Sequence, residues 1–142
     1  MEVRSGIRLE MPKVDLAIVA TKTVANQTLI DILQETTKQG SQILVLQNGL
    51  GVEQELSQAL PGRALFGGLC FLCSQRLSAG VIEHHDYGTI KLAQYRIDES
   101  DGAMPRELIN LGDFLSKNDL QIELCEGLNK ARWQKLVWNI PF

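Results

Sequence analysis

The stretch Ala131-Arg132-Trp133-Gln134-Lys135-Leu136-Val137-Trp138-Asn139 has a composition that allows a helix. On a helix, Lys135 and Asn139 share one face a turn apart, with Arg132 at the edge of that face. Trp133, Leu136, Val137 and Ile140 then fall on the opposite side, as an apolar back that anchors it. A positioned ammonium can stabilise developing negative charge and supply a proton, and a lysine serves best where burial lowers its pKa. A surface lysine on an amphipathic helix would look much the same. What sets Lys135 apart is its company.

Two other polar groups each close an apolar, strand-like run: Thr21-Lys22 and Gln47-Asn48-Gly49-Leu50-Gly51. Open α/β sheets place their ligands at the carboxyl ends of parallel strands, where Lys22 and Asn48 would stand. A cation at a helix start opposes the positive end of the helix dipole, so Lys22 there suits a phosphate or carboxylate ligand better than a structural role. The Asn48 amide can donate and accept at once, which suits bridging two ligands. The glycines after Asn48 do not complete a dinucleotide fingerprint, because Gln54 stands where G-x-G-x-x-G needs its third glycine. They read as a tight turn.

Cys70-Phe71-Leu72-Cys73 is formally a C-x-x-C, and Glu83-His84-His85-Asp86 a candidate metal cluster. Zinc would need a second ligand pair, and adjacent histidines chelate poorly together. A redox pair belongs at a helix N-terminus, whereas these cysteines lie in a strand-like run, on opposite faces. The sequence therefore predicts buried thiols, a structural Glu83–Asp86 turn and no metal.

The elements that would hold these residues alternate. Val14–Ala20 and Ser41–Gln47 read as buried parallel strands covered on both faces. Val24–Lys38 reads as a helix through Ala25, Leu29, Ile32 and Leu33, closed by Gly40 at its C′ position, and Val52–Leu60 as a second, ended by Pro61-Gly62. This is the βαβ pattern of a parallel sheet with right-handed connections. Shorter strand-like segments follow at 64–74, 80–84 and 88–95, separated by turns such as Asp86-Tyr87-Gly88, as an antiparallel or mixed addition. The polar run 98–105 reads as a loop. Pro105 then starts a helix over 106–117 with Leu108, Leu111 and Leu115 on one face. Leu120–Leu124 is a last strand, and Gly127 opens the helix of Lys135.

The chain has 142 residues, 44% hydrophobic and 22% charged, with net charge −3, the profile of a soluble globular domain. No basic cluster points to nucleic acid, and no apolar run reaches the roughly 18 residues a membrane span needs. Three cysteines and the absence of a secretion-type apolar segment near Met1 suit the cytoplasm.

In this order, Thr21-Lys22, the Gln47–Gly51 turn and Trp133-Gln134-Lys135-Leu136-Val137-Trp138-Asn139, a W-x-K-L-x-x-N pattern, resemble the ketopantoate reductases (2-dehydropantoate 2-reductases). These are NADPH-dependent enzymes of pantothenate biosynthesis. The resemblance runs from about Asp15 to Phe142 and covers the middle of the family. It implies a truncated, Rossmann-like NADP-binding domain over 1–125 and the start of a helical domain, with its interdomain helix, over 126–142. The family's opening strand and glycine-rich turn would precede residue 1, and most of its helical domain would follow residue 142. By this resemblance Lys135 is the catalytic lysine, giving a proton to the alkoxide formed as a 2-oxo acid is reduced. Asn48 contacts both NADP(H) and substrate, Asn139 binds substrate, and Lys22 lines the site facing both. The strand Gly67–Ser74 lies beside the nicotinamide, where Cys73 or Ser74 offers backbone contacts. Two alternatives stay open: a dehydrogenase of another 2-oxo acid, and a non-catalytic remnant. An exposed sheet edge and helix end would favour a homodimer.

Overall fold

The computed structural model describes residues 12–23, 26–97 and 104–139, with 26, 27, 138 and 139 as backbone only. Val24, Ala25, Ile140, most of the 98–105 loop and the Asn139 side chain lie outside the described residues.

Aliphatic runs form the sheet. Val14–Val19 (β1), Thr37–Val45 (β2) and Ala64–Ser78 (β3) are parallel, Val81–Gln94 (β4) returns antiparallel along β3, and Gln121–Leu124 (β5) pairs parallel to β4. Ala17, Ile18 and Val19 pair with Ile43, Leu44 and Val45, so the two expected parallel strands are neighbours. Asn26–Thr36 (α1), Val52–Ala59 (α2) and Arg106–Ser116 (α3) connect strands, and Leu128–Asn139 (α4) follows β5.

Strand alternation splits the apolar side chains between two faces. Ile43, Val45 and Leu65 meet Ile30 and Leu33 of α1 and Val52 and Leu56 of α2 on one. Leu44, Phe66 and Leu92 meet Leu108, Leu111 and Leu115 of α3 on the other. A third cluster joins Leu69 and Ala93 to Leu128 and Ala131, which seats α4 directly on the sheet. Each such fully buried Leu or Phe contributes about 1.5–3 kcal/mol, far more than the capping of these short helices, so packing decides where they lie.

Several expectations change. The first helix stops at Thr36 rather than Lys38. The Thr36 and Thr37 hydroxyls donate back to the carbonyls of Ile32 and Leu33, and these β-branched residues lead straight into β2. Gly40 is therefore not a helix C′ residue. It lies in β2 at φ 80°, donating its N–H to Gly62 O at 2.8 Å where the pairing with β1 slips. The phase of α1 also differs, with Ile30 buried and Ile32 exposed. Among the described residues β1 has β2 as its one strand neighbour, and it is not covered on both faces, since Ile18 is 54% exposed where α3 does not extend over it.

The segments 80–84 and 88–95 are one strand. Tyr87 (φ 65°) and Gly88 (φ 140°) form an irregularity inside β4, opposite the break at Phe71/Leu72 in β3, and not a turn between strands. The thiols are less buried than expected. Cys70 is half-buried and Cys73 exposed because β3 leaves the core beyond Leu69, and Cys125, just after β5, is half-buried.

Candidate active site

The site begins at the end of β2. Leu46 N–H donates to Val19 O at 2.8 Å and the Gln47 amide donates to Thr21 Oγ1 at 3.1 Å, which ties the carboxyl ends of β1 and β2 together. The chain then reverses into α2 through Gly49 (φ 116°) and Gly51 (φ 83°), a backbone that glycine adopts freely. The turn leaves Asn48 exposed, with its side chain outward. Glu53 follows in the first turn of α2, where a negative charge complements the helix dipole.

α4 brings the second half. Its Lys135 Nζ donates to Asn48 Oδ1 at 3.0 Å and to Cys70 O at 2.8 Å, and stands 5.3 Å from the centre of the Phe71 ring. Burial pulls the Lys135 pKa down; the nearby Cys70 pulls it up and the Arg132 charge pulls it down. Burial pushes the Cys70 thiol up, opposed by Lys135. Asn48, Gly49, Leu69, Arg132, Lys135 and Leu136 line a cleft of about 20 Å³ here. That is room for one small polar group. A larger cavity of about 560 Å³, lined by Gly62, Arg63 and Gln94–Ile97 among others, lies at the amino end of β3 and takes no part in this arrangement.

The apolar back expected for α4 is not what anchors it. Trp133 and Val137 are 58% and 63% exposed, while Leu128, Ala131 and Arg132 are buried. The helix has turned its cationic side to the sheet. The reason is Arg132, whose Nη1 donates to Gln47 O and Gly49 O, both at 3.0 Å, and whose Nη2 pairs with Glu53 Oε1. The two charged side chains are only 4% and 3% exposed. Gly67 makes room: a Cβ there would come within 2.3 Å of Leu128 and 2.9 Å of Glu53.

Asn48 and Lys135 therefore meet, as the sequence predicts. Lys22 stands exposed beyond β1, next to Thr21 at the same end of the sheet, and among the described residues no hydrogen bond joins it to either. Cys73 lies exposed further out on the hairpin, opposite Asp86, and it is Cys70 that reaches Lys135. Asn139 follows Lys135 by one turn of α4. Glu83, His84, His85 and Asp86 are exposed on β4, where His85 pairs with Glu83 at 3.3 Å and the His84 ring meets Asp86 O. Sequence reasoning missed the Arg132–Glu53 pair. The only signal was an acidic residue in the first turn after a glycine turn.

The chain can be placed among known proteins on this geometry. The model of the ketopantoate reductase PanE/ApbA family matches residues 3–96. A 2-dehydropantoate 2-reductase of Nostoc sp. is 44% identical over 133 residues, which is 94% of this chain and 42% of the relative. The crystal structure of 2-dehydropantoate 2-reductase from Geobacter metallireducens superposes with TM-score 0.79 at 34% identity, covering 92% of this chain and 42% of that one. The enzyme of the same name from Methylococcus capsulatus gives 0.74 at 27%, covering 93% and 41%. The chain thus spans less than half the length of the relatives it matches. With that family match over two strands, the Asn48 turn and the hairpin that meets Lys135, the chain belongs to the ketopantoate reductase PanE/ApbA family.

Proposed function

We propose that this chain carries the reducing centre of an NADP-dependent 2-dehydropantoate 2-reductase. The contact between Lys135 Nζ and Asn48 Oδ1, 3.0 Å at the carboxyl end of the parallel strands, carries the reading. The donor set suits a dinucleotide: Asn48 uses Oδ1 on Lys135 and keeps its Nδ2 to donate outward, Lys22 offers a cation nearby, and Glu53 is turned inward on Arg132. A nicotinamide cofactor held by Asn48 and Lys22, with backbone contacts from Cys73 on β3, would supply hydride.

The chain's own residues do the rest. A ketone being reduced accumulates charge on its oxygen, and in this reading Lys135 meets that oxygen with an ammonium. Its lowered pKa brings proton release closer to neutral pH, the direction general acid catalysis requires. Asn48 binds cofactor and substrate together and so aligns them. Asn139, one turn beyond Lys135, holds the substrate.

The test is a graft. This chain replaces the matching segment of the Nostoc reductase, and the product is assayed on 2-dehydropantoate and a panel of other 2-oxo acids with NADPH and NADH. Reduction of 2-dehydropantoate with NADPH preferred is the expected result. A folded graft that prefers another 2-oxo acid, or reduces none, would overturn the reading.

A further inference from the structure

Arg132 sits three residues before Lys135 on the same helix, and its partners are the two carbonyls on either side of Asn48. We propose that Arg132, held by Glu53, is the positioning residue of this site: its guanidinium clasps Gln47 O and Gly49 O and so brings Lys135 to the Asn48 amide. For its part in the reaction this rests on the reductase reading, but the clasp itself does not.

Stability alone gives little reason for an ion pair here. Both side chains are almost wholly out of water, and a buried pair recovers its desolvation cost poorly compared with apolar residues of the same size. Leu128 and Ala131 already fasten α4 to Leu69 and Ala93. No apolar residue at 132, however, could donate to the two carbonyls. A lysine could not hold both carbonyls and Glu53 in one plane, as the rigid fork of arginine does. Gly49 and Gly51, both at positive φ, shape the turn around those carbonyls, and Gly67 leaves space for Glu53. Three glycines, one carboxylate and one guanidinium thus share a single arrangement. Its product is the 3.0 Å distance from Lys135 to Asn48.

The Lys135 amine reports on this seat. It faces the Cys70 carbonyl and the Phe71 ring on β3, Asn48 on the turn and Arg132 on its own helix, and the Cys70 thiol is near enough to raise its pKa. Glu53 of α2 stands behind Arg132, and Lys91 of β4 shares the Phe71 ring at 5.6 Å. Burial is the chief cause of its lowered pKa, with the Arg132 charge a smaller one. Substituting Arg132→Lys keeps the charge and removes the fork. If the fork seats Lys135, its amine then moves out into water and titrates higher although the repulsion remains.

The experiment is NMR on the chain with isotope-labelled Lys and Arg, following the Lys135 ε-methylene against pH in the parent chain, Arg132→Lys and Arg132→Met. Amide spectra check the fold of each variant. The expected result is an upward shift of the Lys135 midpoint in both variants, and in the parent chain separate, slowly exchanging Arg132 Nη protons close to Gln47 and Gly49. An unchanged midpoint in Arg132→Lys overturns the proposal. So does one averaged, rapidly exchanging guanidinium signal in the parent chain, a measurement that needs no variant to fold. Failure here leaves the reductase reading standing. A graft that reduces nothing while the clasp signals persist leaves the clasp standing.

Discussion

Lys135 and Asn48 come from residues 87 apart and meet through their side-chain ends. Each was legible because its local context limits the choices: an asparagine closing an apolar strand, a lysine on a helix with an asparagine one turn on. Arg132 was not legible in the same way. Its carboxylate partner lies 79 residues earlier, and no local spacing shows that a cation at the edge of a helical face will be buried. The pH response of Lys135 follows from its lowered pKa. The folded chain holds fewer protons on this amine than the unfolded chain, in the window between the lowered value and the ordinary 10.5. Stability from this group therefore rises with pH across that window and is penalised below it. Urea unfolding at a series of pH values should show the rise in the parent chain and lose it in Lys135→Met. In the reductase graft, Asn48→Ala should raise KM for cofactor and substrate together, because the amide would touch both. Steady-state kinetics with each varied in turn would check this, and a change in one KM alone would count against the bridging role.

At the scale of elements, the sequence showed where helices and strands lie better than which side of them is inward. The apolar residues Trp133 and Val137 point out, and α4 is fixed instead by Leu128, Ala131 and Arg132. Composition alone ranks tryptophan as the anchor; the bonds of Arg132 to the Asn48 turn outweigh it. Unfolding measurements should separate the two sides of this helix. Leu128→Ala should cost about 2–5 kcal/mol as a cavity beside Leu69, whereas Val137→Gln should stay within about 0.5 kcal/mol. Gly67→Ala should be costly in the other direction, by about 1–3 kcal/mol, because its methyl group would collide with Leu128. The β3–β4 hairpin shows the same limit of local reading. Asp86-Tyr87-Gly88 has the composition of a turn, yet pairing with β3 continues on either side of it and makes it an irregularity within one strand.

Across the whole molecule, the order β1-β2-β3-β4-β5 follows the sequence, and the parallel pairs are joined by helices. That part was legible, since alternating buried strands and amphipathic helices admit few other arrangements. How far the helices cover each strand was not, because an apolar run such as Val14–Val19 reads the same whether or not Ile18 is covered. The arrangement puts α2 and α4 side by side on one face, so the Asn48 turn and Lys135 can meet over β3. Among the described residues, no helix is long and apolar enough to cross a membrane. In the proposed function, this meeting point reduces a ketone with Lys135 as the acid. Turnover of 2-dehydropantoate by the graft and by its Lys135→Ala form, with NADPH binding followed by fluorescence, tests it most directly. In Lys135→Ala, kcat should fall by a factor on the order of 10² or more while cofactor affinity holds, because charge reaches the oxygen only in the transition state. An unchanged kcat in Lys135→Ala would contradict it.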